Sequence, residues 1–206
     1  MPFSDNKGVR TMIILASASP RRKEILSTLG VDFEVFTADT DESSSIIDPC
    51  GLTEELASRK GRAVWERLAK EDPVAAKRAV IISADTVVCA EGKILGKPKD
   101  PQDALAMLRV LSGSSHRVVS GVAITLGGVA RSASCSTVVN VDSIPERELE
   151  AYAYSEEPKD KAGAYAIQGR FSIWIRSIEG CYFNVVGLPV NCLNKLYFEC
   201  TGEYLI

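Results

Sequence analysis

The stretch from Ala79 to Pro98 constrains this chain more than any other. Ala79-Val80-Ile81-Ile82 is apolar at every position and then gives way to Ser83-Ala84-Asp85-Thr86. An apolar run without alternation reads as a strand buried on both faces. Ending on an acid flanked by two hydroxyls, it would deliver a carboxylate to the rim of a sheet. Lys97 follows between Gly96 and Pro98, after a hairpin that returns the chain to the same neighbourhood. An acid and an amine on adjoining rigid edges suit a site for metal and phosphate. The plainer alternative is that Asp85 only caps a strand end.

With 206 residues, the chain can bury a substantial core as one large domain or as two lobes sharing a sheet. At 46% hydrophobic and 25% charged it has the composition of a folded globular protein. A net charge of -3 argues against a general grip on nucleic acid, which needs excess Lys and Arg. The six cysteines are scattered without a C-x-x-C pair, so neither a disulfide framework nor a thiolate zinc site is expected. Residues 1–11 form a polar N-terminal extension that lacks the apolar core of a signal peptide. No stretch approaches the apolar length of a membrane span. The expected location is the reducing cytoplasm, and residues 12–206 read as a single catalytic domain.

Met12 to Ala16 reads as a buried strand, followed by Ser17-Ala18-Ser19-Pro20-Arg21-Arg22-Lys23. Ser19 suits an N-cap, Pro20 the first helical position and Gly30 the stop. Ser17, Ser19 and the cations therefore gather where helix N–H groups point outward, a natural place for phosphate. Cations are electrostatically misplaced at that end of a helix, so either an anionic ligand balances them or the turn is simply exposed. Asp32 to Phe36 reads as a strand. The loop beyond it carries Asp39, Asp41 and Glu42, acids that are either solvated or bridged by a cation. Leu52 to Lys70 is a helix whose apolar face holds Leu56, Val64 and Leu68, with Lys60 and Gly61 inside it. Lys60 reads as a solvated helix lysine, and Gly61 as a point of close packing or ligand approach.

Asp100-Pro101 opens another helix that ends at Gly113. His116 is the only histidine, too little for a histidine metal site or a Ser-His-Asp triad, and reads as structural. Strands Arg117–Leu126 and Ala130–Val141 flank the turn pair Gly127-Gly128. A helix is expected over 145–154, a strand over 173–178 and a last helix after Pro189. Between them lies the dense segment from Glu157 to Gly169, which carries Asp160, Lys161 and Gln168. A P-loop, a dinucleotide fingerprint and a G-x-S-x-G elbow are all absent. The remaining chemistry is a multiply charged anion handled with a divalent cation, as in attack of water on a phosphoanhydride.

Six motifs in order then carry a resemblance over most of the chain. They are L-A-S-A-S-P-R-R at Leu15–Arg22, S-A-D-T at Ser83–Thr86, and G-K-P at Gly96–Pro98. L-S-G-x-x-H at Leu111–His116, D-K-A-G-A-Y-x-I-Q-G at Asp160–Gly169 and N-V-V-G-L-P at Asn184–Pro189 complete the set. In these the chain resembles the Maf nucleotide pyrophosphatases. The resemblance implies an α/β fold with an elongated mixed β-sheet flanked by helices, two lobes and a central cleft, like inosine-triphosphate pyrophosphatase. It implies hydrolysis of a nucleoside triphosphate to monophosphate and pyrophosphate with Mg²⁺ or Mn²⁺. Asp85 takes the catalytic position and shares the metal with Glu42. Ser17, Arg22, Lys60 and Lys97 take phosphate positions. Arg21, Thr86 and Gln168 match the branch that prefers dTTP and UTP, and a homodimer is in keeping with the family. Gln also offers a donor and an acceptor, complementary to the O4 and N3–H edge of uracil or thymine. The family position of Asp85 is that of a proton acceptor, but a carboxylate beside a divalent ion and a lysine is a weak base at neutral pH, so Asp85 is expected chiefly to bind metal and position water, with proton acceptance secondary. The rival expectation is a non-catalytic nucleotide-binding regulator of cell division.

Overall fold

The computed structural model describes residues 11–206, so the N-terminal extension lies outside the described residues except for Thr11. The elements are, in order, β1 (Met12–Leu15), α1 (Pro20–Thr28), β2 (Glu34–Val35), α2 (Pro49–Glu71), α3 (Pro73–Arg78), β3 (Ala79–Ala90), β4 (Lys93–Leu95) and α4 (Pro101–Leu111). The second half holds β5 (Ser115–Leu126), β6 (Val129–Val141), α5 (Glu146–Ala153), β7 (Ile175–Glu179), α6 (Tyr182–Val186) and α7 (Val190–Thr201). Short 3-10 turns at Ala162–Ala164 and Arg170–Trp174 join α5 to β7. They delay the expected strand at 173 until Ile175.

The strands form one mixed sheet in the order β2-β1-β3-β5-β6-β7, with β4 also on β3. β1 runs parallel to β3, whereas β4, β5, β6 and β7 join by antiparallel ladders. The apolar run at Ala79 is a buried strand as expected, but it does not end at Asp85. β3 continues to Ala90 because β5 pairs with it without interruption from Ile81 to Cys89. Its other edge is discontinuous. β1 pairs with Ala79 to Ile82 and β4 with Val88 to Ala90, so no strand covers Ser83 to Val87 on that side.

Two cores pack on the same sheet. Ala84 belongs to a cluster with Leu26, Val186 and Leu193 from α1, α6 and α7. Val88, on the same face of β3, belongs to a second cluster with Leu108, Tyr152 and Phe171. The cleft opens between them, above Thr86. The opposite face is covered by α2 and α3 through Val64, Leu68 and Ala75 against Ile14 and Ile81. Among the described residues no helix is long and apolar enough to cross a membrane. All six cysteines are free.

Two glycines let α2 lie close to the sheet. A Cβ on Gly121 would fall 2.4 Å from the carbonyl carbon and oxygen of Thr53, so the α2 backbone rests directly on β5. A Cβ on Gly61 would meet Thr125 Oγ1 at 2.4 Å and Ser83 Oγ at 2.9 Å, so this glycine marks close packing. Gly61→Ala is expected to lower stability. The contacts cost about 1–3 kcal/mol, against a gain of ~1 kcal/mol from helix propensity. Adding Thr125→Ala should recover most of the loss in urea unfolding; a stabilised single variant would contradict this packing.

His116 is buried, with Nε2 2.7 Å from the Tyr165 hydroxyl and no partner for Nδ1. Burial lowers its pKa from 6.5 to about 4. The folded state therefore binds this proton less readily than the unfolded chain. Stability from this group is complete above the unfolded value and is lost as pH falls toward the folded one. Between about pH 7 and about pH 4 the loss is on the order of 3 kcal/mol. Denaturant titrations at several pH values should show this slope in the parent and not in His116→Phe.

Candidate active site

Asp85 pairs in register with Gly121, and α2 lies against Gly121 through Thr53. About two helical turns further along α2, Lys60 arrives over Asp85, with Nζ 2.7 Å from Oδ1. The same Nζ lies 2.7 Å from Oε1 of Glu42, which comes from the loop after β2. Lys60 is thus not the solvated helix lysine expected from its spacing. It is the shared counter-ion of two carboxylates from separate parts of the fold. The hydrogen bond from Lys60 holds Glu42 below the usual carboxylate range, with Lys97 and Arg22 adding to the effect and partial burial opposing it.

On the other face of β3, Arg22 reaches in from α1. Its Nη1 donates to the Ala84 carbonyl at 2.9 Å and to Ser17 Oγ at 3.2 Å. Its Nε donates to the Gly187 carbonyl at 2.8 Å, and its Nη2 to Thr86 Oγ1 at 3.1 Å. Burial lowers the Arg22 pKa, while Asp85 and Glu42 oppose the shift, and the guanidinium stays charged at neutral pH. Thr86 Oγ1 also meets Ser120 Oγ at 2.9 Å. Ser120 is held in turn by Asn184, whose Oδ1 accepts from its N–H and whose carbonyl accepts from its hydroxyl.

All nine residues that the resemblance assigns to the site line one cleft of about 1340 Å³. Asp85, Glu42 and Lys60 form one group, and Ser17, Arg22 and Thr86 a second. Arg21, Lys97 and Gln168 line the cleft without a hydrogen bond or ion pair to the described residues, leaving their polar ends to face a ligand. Ser19 stands at the N-cap of α1 but makes no side-chain capping bond. Its N–H instead donates to Ser17 Oγ at 3.2 Å. The first-turn N–H groups of α1 therefore have no capping side chain and open toward the cleft, available to an anion. Sequence reasoning gives no place in the cleft to Ser120 or Asn184; the signals are that Ser120 stands where threonine is common in the family and that Asn184 heads N-V-V-G-L-P.

No cluster of three or more His, Cys, Asp or Glu side chains that could hold an ion occurs among the described residues. The two carboxylates around Lys60 nevertheless fit Mg²⁺ or Mn²⁺ chemistry. Such ions are commonly held by one or two protein carboxylates, the remaining ligands being water and substrate phosphate.

The Maf-like protein family matches residues 12–199. The chain belongs to that family. Among its relatives is a dTTP/UTP pyrophosphatase of Thermococcus kodakarensis, 44% identical over 185 residues, covering 90% of this chain and 95% of the relative. A Clostridium botulinum protein of the same name is 41% identical over 192 residues, covering 91% and 96%. Another from Pelotomaculum thermopropionicum is 44% identical over 181 residues, covering 86% and 91%. The mixed sheet flanked by helices agrees with the fold implied by the Maf resemblance.

Arg22 and Arg21 should separate in mutagenesis. A lysine at position 22 cannot reproduce the planar fork. Arg22→Lys is therefore expected to cost the ligand-free protein about 1–3 kcal/mol in chemical unfolding. Arg21→Lys, with no side-chain bond to lose among the described residues, should stay within about 0.5 kcal/mol of the parent and weaken nucleotide binding instead. An Arg22→Lys protein as stable as the parent would show that the cross-tie contributes nothing.

Proposed function

We propose that this protein hydrolyses dTTP and UTP to the monophosphate and pyrophosphate. The observation that carries this reading is the convergence on one cleft of two carboxylates, a lysine and an arginine without an ion pair among the described residues, and an uncapped helix N-terminus. The names of the relatives agree with it. In the reaction a water oxygen bonds to the α-phosphorus while the bond to the bridging oxygen breaks, and pyrophosphate leaves.

Each residue has a place in that step. Glu42 and Asp85 would hold Mg²⁺ or Mn²⁺, which when bound supplies positive charge to the phosphate oxygens. Asp85 orients the attacking water. Lys97, Arg21, the remaining Nη2 proton of Arg22, the Ser17 hydroxyl and the first-turn N–H groups of α1 neutralise the triphosphate and the departing pyrophosphate. Lys60, which balances the carboxylates in the free protein, lines the same cleft and would turn to the phosphates once the metal ion takes its place between them. The Gln168 carboxamide donates to O4 of the pyrimidine and accepts from N3–H. Thr86, tied to Arg22 and Ser120, lies on the cleft floor where the two cores part. The same reading puts the protein in the cytoplasm.

Asp85→Asn should lower pyrophosphate release by about 10²–10³-fold or more while nucleotide binding by calorimetry persists. A binding-only regulator would release no pyrophosphate in either form. Release measured across dTTP, UTP, CTP, GTP and 7-methyl-GTP tests the base assignment; a purine preference would refute the role of Gln168.

A further inference from the structure

Gln168 is exposed on the cleft wall, and its side chain bonds to no described residue. A carboxamide that discriminates between bases must nonetheless be held in a fixed place, because selectivity by hydrogen bonding depends on mispaired groups finding no relief. Its position therefore has to come from the backbone of the turn that carries it. That turn rests on one side chain outside the cleft lining, Glu157.

We propose that Glu157 is a specificity-positioning residue, which fixes the Gln168-Gly169-Arg170 turn so that the Gln168 carboxamide meets the pyrimidine edge. The proposal rests on the role given to Gln168 above. The Glu157 carboxylate accepts from Arg170 N at 3.0 Å through Oε2, and from Phe171 N at 3.5 Å and the Tyr152 hydroxyl at 2.9 Å through Oε1. Two successive backbone N–H groups directly after Gly169 thus converge on one anion. Gly169 itself lies against the carboxylate, since a Cβ there would fall 1.9 Å from Oε1 and 2.5 Å from the carboxyl carbon. The chain closes over Glu157 as a backbone closes over a bound ion.

The other end of the anchor is rigid. Tyr152 is 1% exposed in α5. Its ring packs on Phe171 at 5.4 Å and Trp174 at 5.9 Å, within the core of the second lobe. Phe171, fully buried, follows Arg170 directly. Glu157 therefore joins the α5 core to the turn, and the turn carries Gln168 at its cleft-facing end. Glu157 itself lies outside the cleft lining, and its hydrogen bonds bear on the substrate through the turn that carries Gln168.

The replacement Glu157→Gln keeps size and one acceptor oxygen, but it turns an NH₂ group toward an N–H donor that the carboxylate had satisfied. The dTTP-over-dCTP ratio of kcat/KM should then fall by about tenfold, mainly through a higher KM for dTTP, with kcat nearly retained. Tyr152→Phe, which removes one donor and leaves the core ring in place, should shift the ratio the same way by less. It keeps the test available if Glu157→Gln folds poorly in thermal unfolding. The deciding comparison is the double variant with Gln168→Ala. If Glu157 acts through Gln168, adding Glu157→Gln to Gln168→Ala changes the ratio no further, a strongly non-additive cycle. A ratio that Glu157→Gln leaves unchanged, or that drops additively in the double variant, overturns the proposal while the reading of Gln168 stands. A ratio unaffected by Gln168→Ala alone overturns both.

Discussion

One hydrogen bond organises the cleft: Arg22 Nη1 donates to the carbonyl of Ala84. Backbone polar groups removed from water have to be paired, and β3 has a gap in its pairing from Ser83 to Val87, where β1 has ended and β4 has not begun. Ala16 N closes the last rung, on the Ile82 carbonyl at 2.8 Å. Two residues on, facing the same edge, the Ala84 carbonyl takes a guanidinium where the next strand would have continued. The gap is thereby kept open as a cleft and not closed as a sheet. Because the group filling it is a cation that also holds Ser17, Thr86 and Gly187, one side chain joins α1, β3 and the end of α6.

The alternation of a strand then divides the chemistry. Ser83 and Asp85 point toward α2, where the Ser83 hydroxyl donates to the Ala57 carbonyl and Asp85 meets Lys60. Ala84 and Thr86 point the other way, Ala84 into the cluster with Leu26 and Val186 and Thr86 toward Arg22 and Ser120. In a fully paired sheet these neighbours would face separate compartments. At an open edge both reach the same cleft, so adjacent residues can serve the reacting phosphate and the selection of substrate. The glycine at position 121 sets how closely α2 approaches, and with it whether Lys60 can span Glu42 and Asp85.

Much of this was legible in the sequence, and the failures share a cause. The buried run at Ala79, the hairpin ahead of Lys97 and the helix opened by Asp100-Pro101 rest on local chemistry, and they appear as read. Local polarity ends β3 too early, because its continuation depends on β5, some 35 residues away, and not on the polarity of Ser83 to Thr86. The expected strand over Asp32 to Phe36 shrank to Glu34–Val35, since β1 offers only Ile14 and Leu15 as partners. From spacing alone Lys60 reads as solvated, because nothing in a helical pattern shows which carboxylates a lysine will meet across a tertiary contact; only the family resemblance draws it to the site. Glu157 left still less trace, as its partners are mainly backbone N–H groups, which carry no residue-type signal.

The helix starts draw the line between local and functional signals. Asp48-Pro49, Asp72-Pro73, Asp100-Pro101 and Ser19-Pro20 present nearly the same pattern, a capping side chain followed by proline. The three aspartates each accept a first-turn N–H. Ser19 does not. A missing cap of this kind costs about 1 kcal/mol, and two arginines and a lysine within its first turn add unfavourable charge near the positive end of the helix dipole. Neither cost is offset within α1, and both would be relieved by an anion seated at the same place. The sequence rule fails at the one of these four helices whose N-terminus lines the cleft, where the missing acceptor is the one a triphosphate would bring.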